Sequence, residues 1–111
     1  MKQTVVRYKT KPEATDLNAR LIEQVFGELR ALSLKDVRYL VLRLADDTFL
    51  HFVVNENEHG DNPLRRLEAF RIFQSGAKER VVDGPQSTEA TIVGSYRMLD
   101  HVSAGGQDDA A

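Results

Sequence analysis

The stretch VRYLVLRLADDTFLHFVVN, Val37 to Asn55, decides the fold. Two runs rich in Val, Leu, Phe and Tyr flank the short acidic segment Ala45-Asp46-Asp47-Thr48, the pattern of a β-hairpin. Side chains alternate between the faces of a strand, so the first run splits into Val37, Tyr39, Val41, Arg43 and Arg38, Leu40, Leu42, Leu44. The second run divides into Phe49, His51, Val53, Asn55 and Leu50, Phe52, Val54. Both sets are mostly apolar, so each face of the hairpin needs a cover. Helices of the same chain can cover one face. A second copy of the sheet is the economical cover for the other, and an obligate homodimer is expected.

Upstream of the hairpin, Thr4 to Lys9 is β-branched and alternating and ends before Pro12, which predicts a first strand. From about Thr15 the period changes, with Leu17, Leu21, Ile22, Val25, Phe26, Leu29 and Leu32 at helical spacing. Thr15 or Asp16 suits the cap of this helix, and Gly27 in its middle suggests close packing on the sheet. Downstream, the polar loop Glu56 to Asn62 leads into Pro63, a good first helical residue with Asn62 as its cap. Leu64, Leu67, Phe70, Phe73, Ala77 and Val81 then predict a second helix, with a break near Leu67 or Glu68 and a weak point at Gly76. Gly84-Pro85 should end it. A last strand is expected over about Ser87 to Met98, with a bulge or close backbone approach at Gly94. The tail, residues 100 to 111, lacks periodicity and reads as disordered.

The order strand, helix, strand, strand, helix, strand is the ferredoxin-like βαββαβ arrangement: an α+β domain over residues 1 to 99 with a four-stranded antiparallel sheet. At 111 residues with 41% hydrophobic and 29% charged side chains, the chain can build one core without staples. A net charge of −2 gives no electrostatic reason to expect nucleic acid or an anionic membrane as partner. The absence of cysteine excludes disulfides, thiol nucleophiles and thiolate metal sites. The amino terminus runs straight into a strand without the apolar core of a signal peptide, so a cytoplasmic location is expected.

Several side chains stand out chemically. His51 lies among apolar neighbours on a strand that should be central, where an imidazole can act as a base, hydrogen-bond a ligand, or be tied to a cross-strand neighbour or the dimer interface. Arg7, Arg43 and Arg97 each lie in a run that reads as partly buried, and such guanidinium groups need a partner, either a carboxylate such as Glu89 or a bound phenolate, enolate or carboxylate. Tyr8, Tyr39 and Tyr96 suit an aromatic cleft or the core. The loop from Asn55 imitates a calcium loop, with Asn55, Asn57 and His59 at alternate positions and Gly60 sixth. Its twelfth position is Arg66 and Pro63 intrudes, so no EF-hand forms. Glu56, Glu58, His59 and Asp61 offer at most weak metal ligands, and the loop reads as a mobile rim over a cleft. No metal site and no cofactor are expected. Phosphate-loop, catalytic-triad and dinucleotide signatures are all missing.

With this order established, VVRYKTKPE at the start, FLHFVV in the third strand, NPLRRLEAFRIFQSGAKERV in the loop and second helix, and ATIVGSYRML at the end resemble the small dimeric α/β-barrel proteins of the antibiotic biosynthesis monooxygenase type, in an uncharacterised branch. The resemblance implies two sheets closing a barrel and a ligand cleft between each sheet and its own helices. It also implies a small organic ligand, with cofactor-free oxidation of polyketide-like phenols, haem degradation or no assigned activity among the members. The haem-degrading members resemble one another in a Trp, an Asn and a helical His, and this chain has no Trp and no His in its second helix. The cofactor-free oxygenases also use a Trp, beside Asn, Tyr and Arg. The expected site is His51 as base or hydrogen-bond partner, with Arg7, Tyr8, Arg43, Tyr96 and Arg97 around an aromatic or polyketide-like ligand. A non-catalytic binding or stress-related accessory module is the competing reading.

Overall fold

The computed structural model describes residues 1–57 and 60–99. Four strands, β1 (Lys2–Thr10), β2 (Val37–Arg43), β3 (Thr48–Asn55) and β4 (Val81–Glu89), form one sheet in the order β2-β3-β1-β4. All three pairings are antiparallel. Helix α1 (Thr15–Leu32) joins β1 to β2. A 3-10 turn (Pro63–Arg66), α2 (Glu68–Ser75) and α3 (Ala77–Arg80) join β3 to β4. This is the ferredoxin-like α+β arrangement.

The hairpin forms as its sequence dictates. Leu44 N–H donates to Thr48 O at 2.8 Å, and the Asp46 side chain accepts from Thr48 N–H at 3.1 Å. Asp47 sits at a φ of 69°, a conformation aspartate tolerates in turns. Strand alternation then sorts the sheet into two faces. The packed core takes Tyr8, Phe49, Val6, Val41 and Val53 from one face and Ile22, Val25, Phe70 and Phe73 from the helices. Leu40, Leu50 and Phe52 stand on the opposite face, half-buried, and Leu42 is exposed.

Helix α1 buries Thr15, Asn18, Ile22 and Val25, while Leu17 and Leu32 stay exposed. The expected stripe packs inward through Leu21, Ile22, Val25, Phe26 and Leu29, and its first turn is carried by two polar residues, Thr15 and Asn18, in place of Leu17. Neither Thr15 nor Asp16 caps α1. Its N-cap is Ala14, and the Thr15 hydroxyl instead donates to Lys11 O at 3.0 Å and meets the Thr10 hydroxyl at 2.8 Å. Gly27 marks no close packing, because nothing lies within 4 Å of where its Cβ would stand. Glu28 does the reaching, accepting from Glu68 and Ala69 N–H at the start of α2.

Asn62 caps the turn after Pro63 by accepting from Leu64 N–H at 3.0 Å, and the break falls at Leu67, which is extended. The last third departs from expectation. The final strand is Val81–Glu89 instead of Ser87 to Met98, so Gly84-Pro85 lies inside a strand rather than ending a helix. β4 is an edge strand with a register shift opposite Arg7 to Lys9, where a proline and a bulge are tolerated. Gly84 has a φ of 95°, and a Cβ there would stand 2.8 Å from Arg7 O, so only glycine lets β4 approach β1 so closely. Residues 91 to 99 form no strand, and nothing approaches Gly94. Glu58, His59 and the expected tail from residue 100 lie outside the described residues.

Candidate functional site

A cavity of about 480 Å³ opens between the helix-bearing face of the sheet and α2. Its walls are mainly apolar: Val6, Val53, Leu64, Phe70, Phe73 and Val81, with Gly84 and Pro85 at the edge. Against this lining stands one polar cluster, made of Tyr8, Asn18, Tyr39 and His51. Gln74 and Lys78 add polar atoms from α2 and α3.

Strand register builds the cluster. His51 on β3 lies directly opposite Val6 on β1 and Val41 on β2. Those β-branched side chains are short, so the imidazole is met by the longer diagonal neighbours two residues along each flanking strand. Tyr8 Oη lies 2.8 Å from His51 Nε2, and Tyr39 Oη lies 2.6 Å from His51 Nδ1. Both tyrosine rings are held by stacking, Tyr8 on Phe49 at 5.5 Å and Tyr39 on Phe26 at 4.9 Å.

The cluster continues inward. Asn18 Nδ2 donates to Tyr8 Oη at 2.8 Å, and Arg80 Nε donates to Asn18 Oδ1 at 2.8 Å. A second Arg80 nitrogen donates to Phe73 O at 2.6 Å, and the guanidinium lies 5.1 Å over the Phe73 ring. Gly76 leaves room for this side chain, since a Cβ there would stand 2.8 Å from it. Arg80 is only 5% exposed, and no carboxylate pairs with it among the described residues. Its hydrogen bonds go to neutral acceptors, Asn18 and Phe73 O, and the Glu79 carboxylate acts on its charge only from a distance.

Burial sets the protonation. It pushes the His51 imidazole down to about 4 and the Tyr8 phenol up to about 12, the latter opposed by the Asn18 hydrogen bond and the Arg80 charge. Burial also raises Tyr39 far above the ordinary phenol range. At neutral pH the cluster is therefore two phenols and a neutral imidazole.

Of the residues singled out in the sequence, Tyr8, Tyr39 and His51 meet in this cavity. The others do not line it. Arg7 is exposed on the opposite face of the sheet, between Leu50 and Gln86. Arg43 ends β2 and pairs with Asp16 at 3.3 Å on the surface. Tyr96 and Arg97 lie exposed beyond β4. Asn18 and Arg80 were missed, although a signal existed: Asn18 stands four before Ile22 and seven before Val25, and Arg80 seven after Phe73, each a polar residue on an apolar stripe. No group of three His, Asp or Glu among the described residues is placed to hold a metal ion. None of the described helices is long and apolar enough to cross a membrane.

Comparison with known proteins agrees on the fold. A candidate antibiotic biosynthesis monooxygenase from Bacteroides thetaiotaomicron superposes with a TM-score of 0.70 at 12% identity, over 83% of this chain and 89% of that one. A second, from Nitrosomonas europaea, gives 0.68 at 11% identity over 84% and 99%. The chain shares the fold of these proteins. A conserved protein from Methanosarcina mazei shares the architecture too, with a TM-score of 0.64 at 14% identity over 79% and 88%. No protein-family model and no curated protein matches the sequence. At these identities the likeness is one of fold, and activity has to be argued from the cavity.

Proposed function

We propose that this protein is a homodimer that binds a planar aromatic or polyketide-like molecule in the cavity beneath α2 and oxidises it without a cofactor. The observation that carries the reading is the cavity itself: about 480 Å³ of mainly apolar space with one convergent polar cluster. That size and lining suit a small organic ligand oriented by a single oxygen. The fold neighbours described as antibiotic biosynthesis monooxygenases lend the oxidation step an analogy of fold.

The chemistry balances with dioxygen as oxidant. A ring methylene of an electron-rich phenolic ketone becomes a carbonyl, one oxygen atom entering the ring carbon and the other leaving as water with the two hydrogens. The chain's share is to hold the ring between Phe70, Phe73 and Val53 and to polarise its oxygen at the His51 cluster. His51 serves as hydrogen-bond partner. The arginine that favours an anion is Arg80, acting through Asn18 and Tyr8. The dimer reading is supported by the half-exposed apolar face of Leu40, Leu42, Leu50 and Phe52, and by the exposed Ile92 and Val93 beyond β4. In that dimer Arg7 faces the second copy.

One observation favours a non-catalytic binding module instead: with its imidazole down at about 4, His51 is unprotonated at neutral pH but too weak a base to take a proton readily. Oxygen uptake with anthrone in air, followed by spectroscopy of the quinone, separates the two. Oxidation above the buffer rate that disappears in His51→Ala is expected. Anthrone that binds but oxidises at the buffer rate would leave the binding module.

A further inference from the structure

The hydrogen bonds of the buried cluster have a direction, and Arg80 sets it. A guanidinium can only donate, so the Asn18 atom 2.8 Å from Arg80 Nε is the carbonyl oxygen and the amide NH₂ faces Tyr8. Tyr8 Oη thus accepts from Asn18, and its own hydrogen is free to point at His51 Nε2, 2.8 Å away. An imidazole that accepts at Nε2 carries its hydrogen on Nδ1, and that hydrogen points at Tyr39 Oη, 2.6 Å away.

Counting hydrogens gives the consequence. Two phenols and a neutral imidazole hold three hydrogens, and the two bonds among them use two. One phenolic hydrogen is left over whichever way the chain runs. Running from Arg80 outward, each oxygen or nitrogen accepts before it donates, the order in which successive bonds strengthen one another. In the reverse order Tyr8, only 5% exposed, would accept twice, from Asn18 and His51, and need a third partner for its own hydrogen, whereas Tyr39 has one partner in the cluster and keeps its other side for the cavity.

We propose that Arg80 and Asn18 are positioning residues that fix this proton order, and that the spare Tyr39 O–H is the donor the cavity offers to its ligand. This rests on the small-molecule reading above and specifies the ligand: an aromatic compound presenting an acceptor oxygen, best of all a phenolate. Three features agree. Tyr39 lines the cavity. Arg80 is buried with no carboxylate bonded to it among the described residues and only the charge of Glu79 nearby, so an anionic oxygen at the far end of the chain adds a countercharge. Lys78 at the wall adds a second positive group.

The test has two independent readouts. Nitrogen-15 NMR of His51 in the wild-type protein reports the tautomer without any ligand, and the Nδ1–H form is expected. The Nε2–H form, or a mixture, would overturn the proton order. Titration with 4-nitrophenol, whose phenolate is coloured, then reads the ligand end. Wild-type protein should bind it so that the dye ionises at lower pH than in buffer. Tyr39→Phe should bind about tenfold more weakly and lose that displacement, the usual consequence of removing one buried hydrogen bond. Arg80→Gln, which can present either end of its amide to Asn18, should mix the tautomers, and Arg80→Lys, again donor only, should restore the Nδ1–H form. Dye bound equally by wild type and Tyr39→Phe would overturn the assignment of Tyr39 while leaving the cavity reading intact. A wild type that excludes the dye yet shows the Nδ1–H tautomer would sink the ligand assignment along with the cavity reading, leaving the proton order alone.

Discussion

The two faces of this sheet are made from the same four strands, one residue out of step, and solve opposite problems. The helix-bearing face buries its apolar residues under α1 and α2 and still spends five polar side chains on an internal chain from Arg80 to Tyr39. The other face is nearly all Leu, Val and Phe along β2 and β3, and the core cluster takes none of it. On the proposed reading, the face with covered polar groups holds a small ligand, and the apolar face left half-exposed meets a second copy.

The largest effect is expected from breaking the covered face at its middle. Asn18→Leu removes two buried hydrogen bonds, one from the Arg80 guanidinium and one to Tyr8, which together cost about 2.5–4 kcal/mol. Urea unfolding should read that loss. Cavity ligands should also bind more weakly, because Tyr8 is then free to reverse.

Acid should act on the same face without mutation. The folded imidazole of His51 protonates near 4 and the unfolded one at its ordinary value of 6.5, so the unfolded state binds the extra proton between them. Stability contributed by the neutral imidazole is complete above pH 6.5, falls as pH drops, and is lost by about pH 4. The loss should amount to at most about 3 kcal/mol in that window. Comparing urea midpoints of wild type and His51→Gln across the window isolates it from the carboxylates, and parallel curves would refute it.

The open face is sharpened by Phe52→Glu. A charge at its centre should remove a contact of about 2 kcal/mol or more and shift sedimentation from dimer to monomer. Binding of 4-nitrophenol to any folded monomer tells whether the cavity stands without the second copy. The smallest effect belongs to neither face: Gly27 is exposed in mid-helix with open space at its Cβ, so Gly27→Ala should raise stability by about 0.5–1 kcal/mol in thermal unfolding.

Legibility in the sequence followed the same division. The hairpin could be read because two short runs rich in Val, Tyr and Phe flank the turn residues Asp46 and Asp47, which favours strands over a buried helix. His51 and Tyr8 could be named because they interrupt or anchor apolar runs. Which side chains meet His51 depended on register, and nothing local says that Tyr39 lies two residues beyond Val41's pairing. Arg80 was hidden at a helix end, where a cation is ordinarily solvated, and its burial depends on the space left by Gly76. β4 was misplaced because VVDGPQSTE lacks strand alternation and takes its position by pairing with β1 at an edge, whereas ATIVGSYRML has strand composition but, past the Ala90 N–H bond to Gln3 O, forms no strand among the described residues.

Native mass spectrometry of freshly purified protein tests both faces at once. Twice the chain mass is expected, with one discrete increment per subunit from a phenolic ligand, either retained from the cell or supplied as 4-nitrophenol. A folded monomer at micromolar concentration, or a dimer that takes up no phenolic ligand, would contradict it.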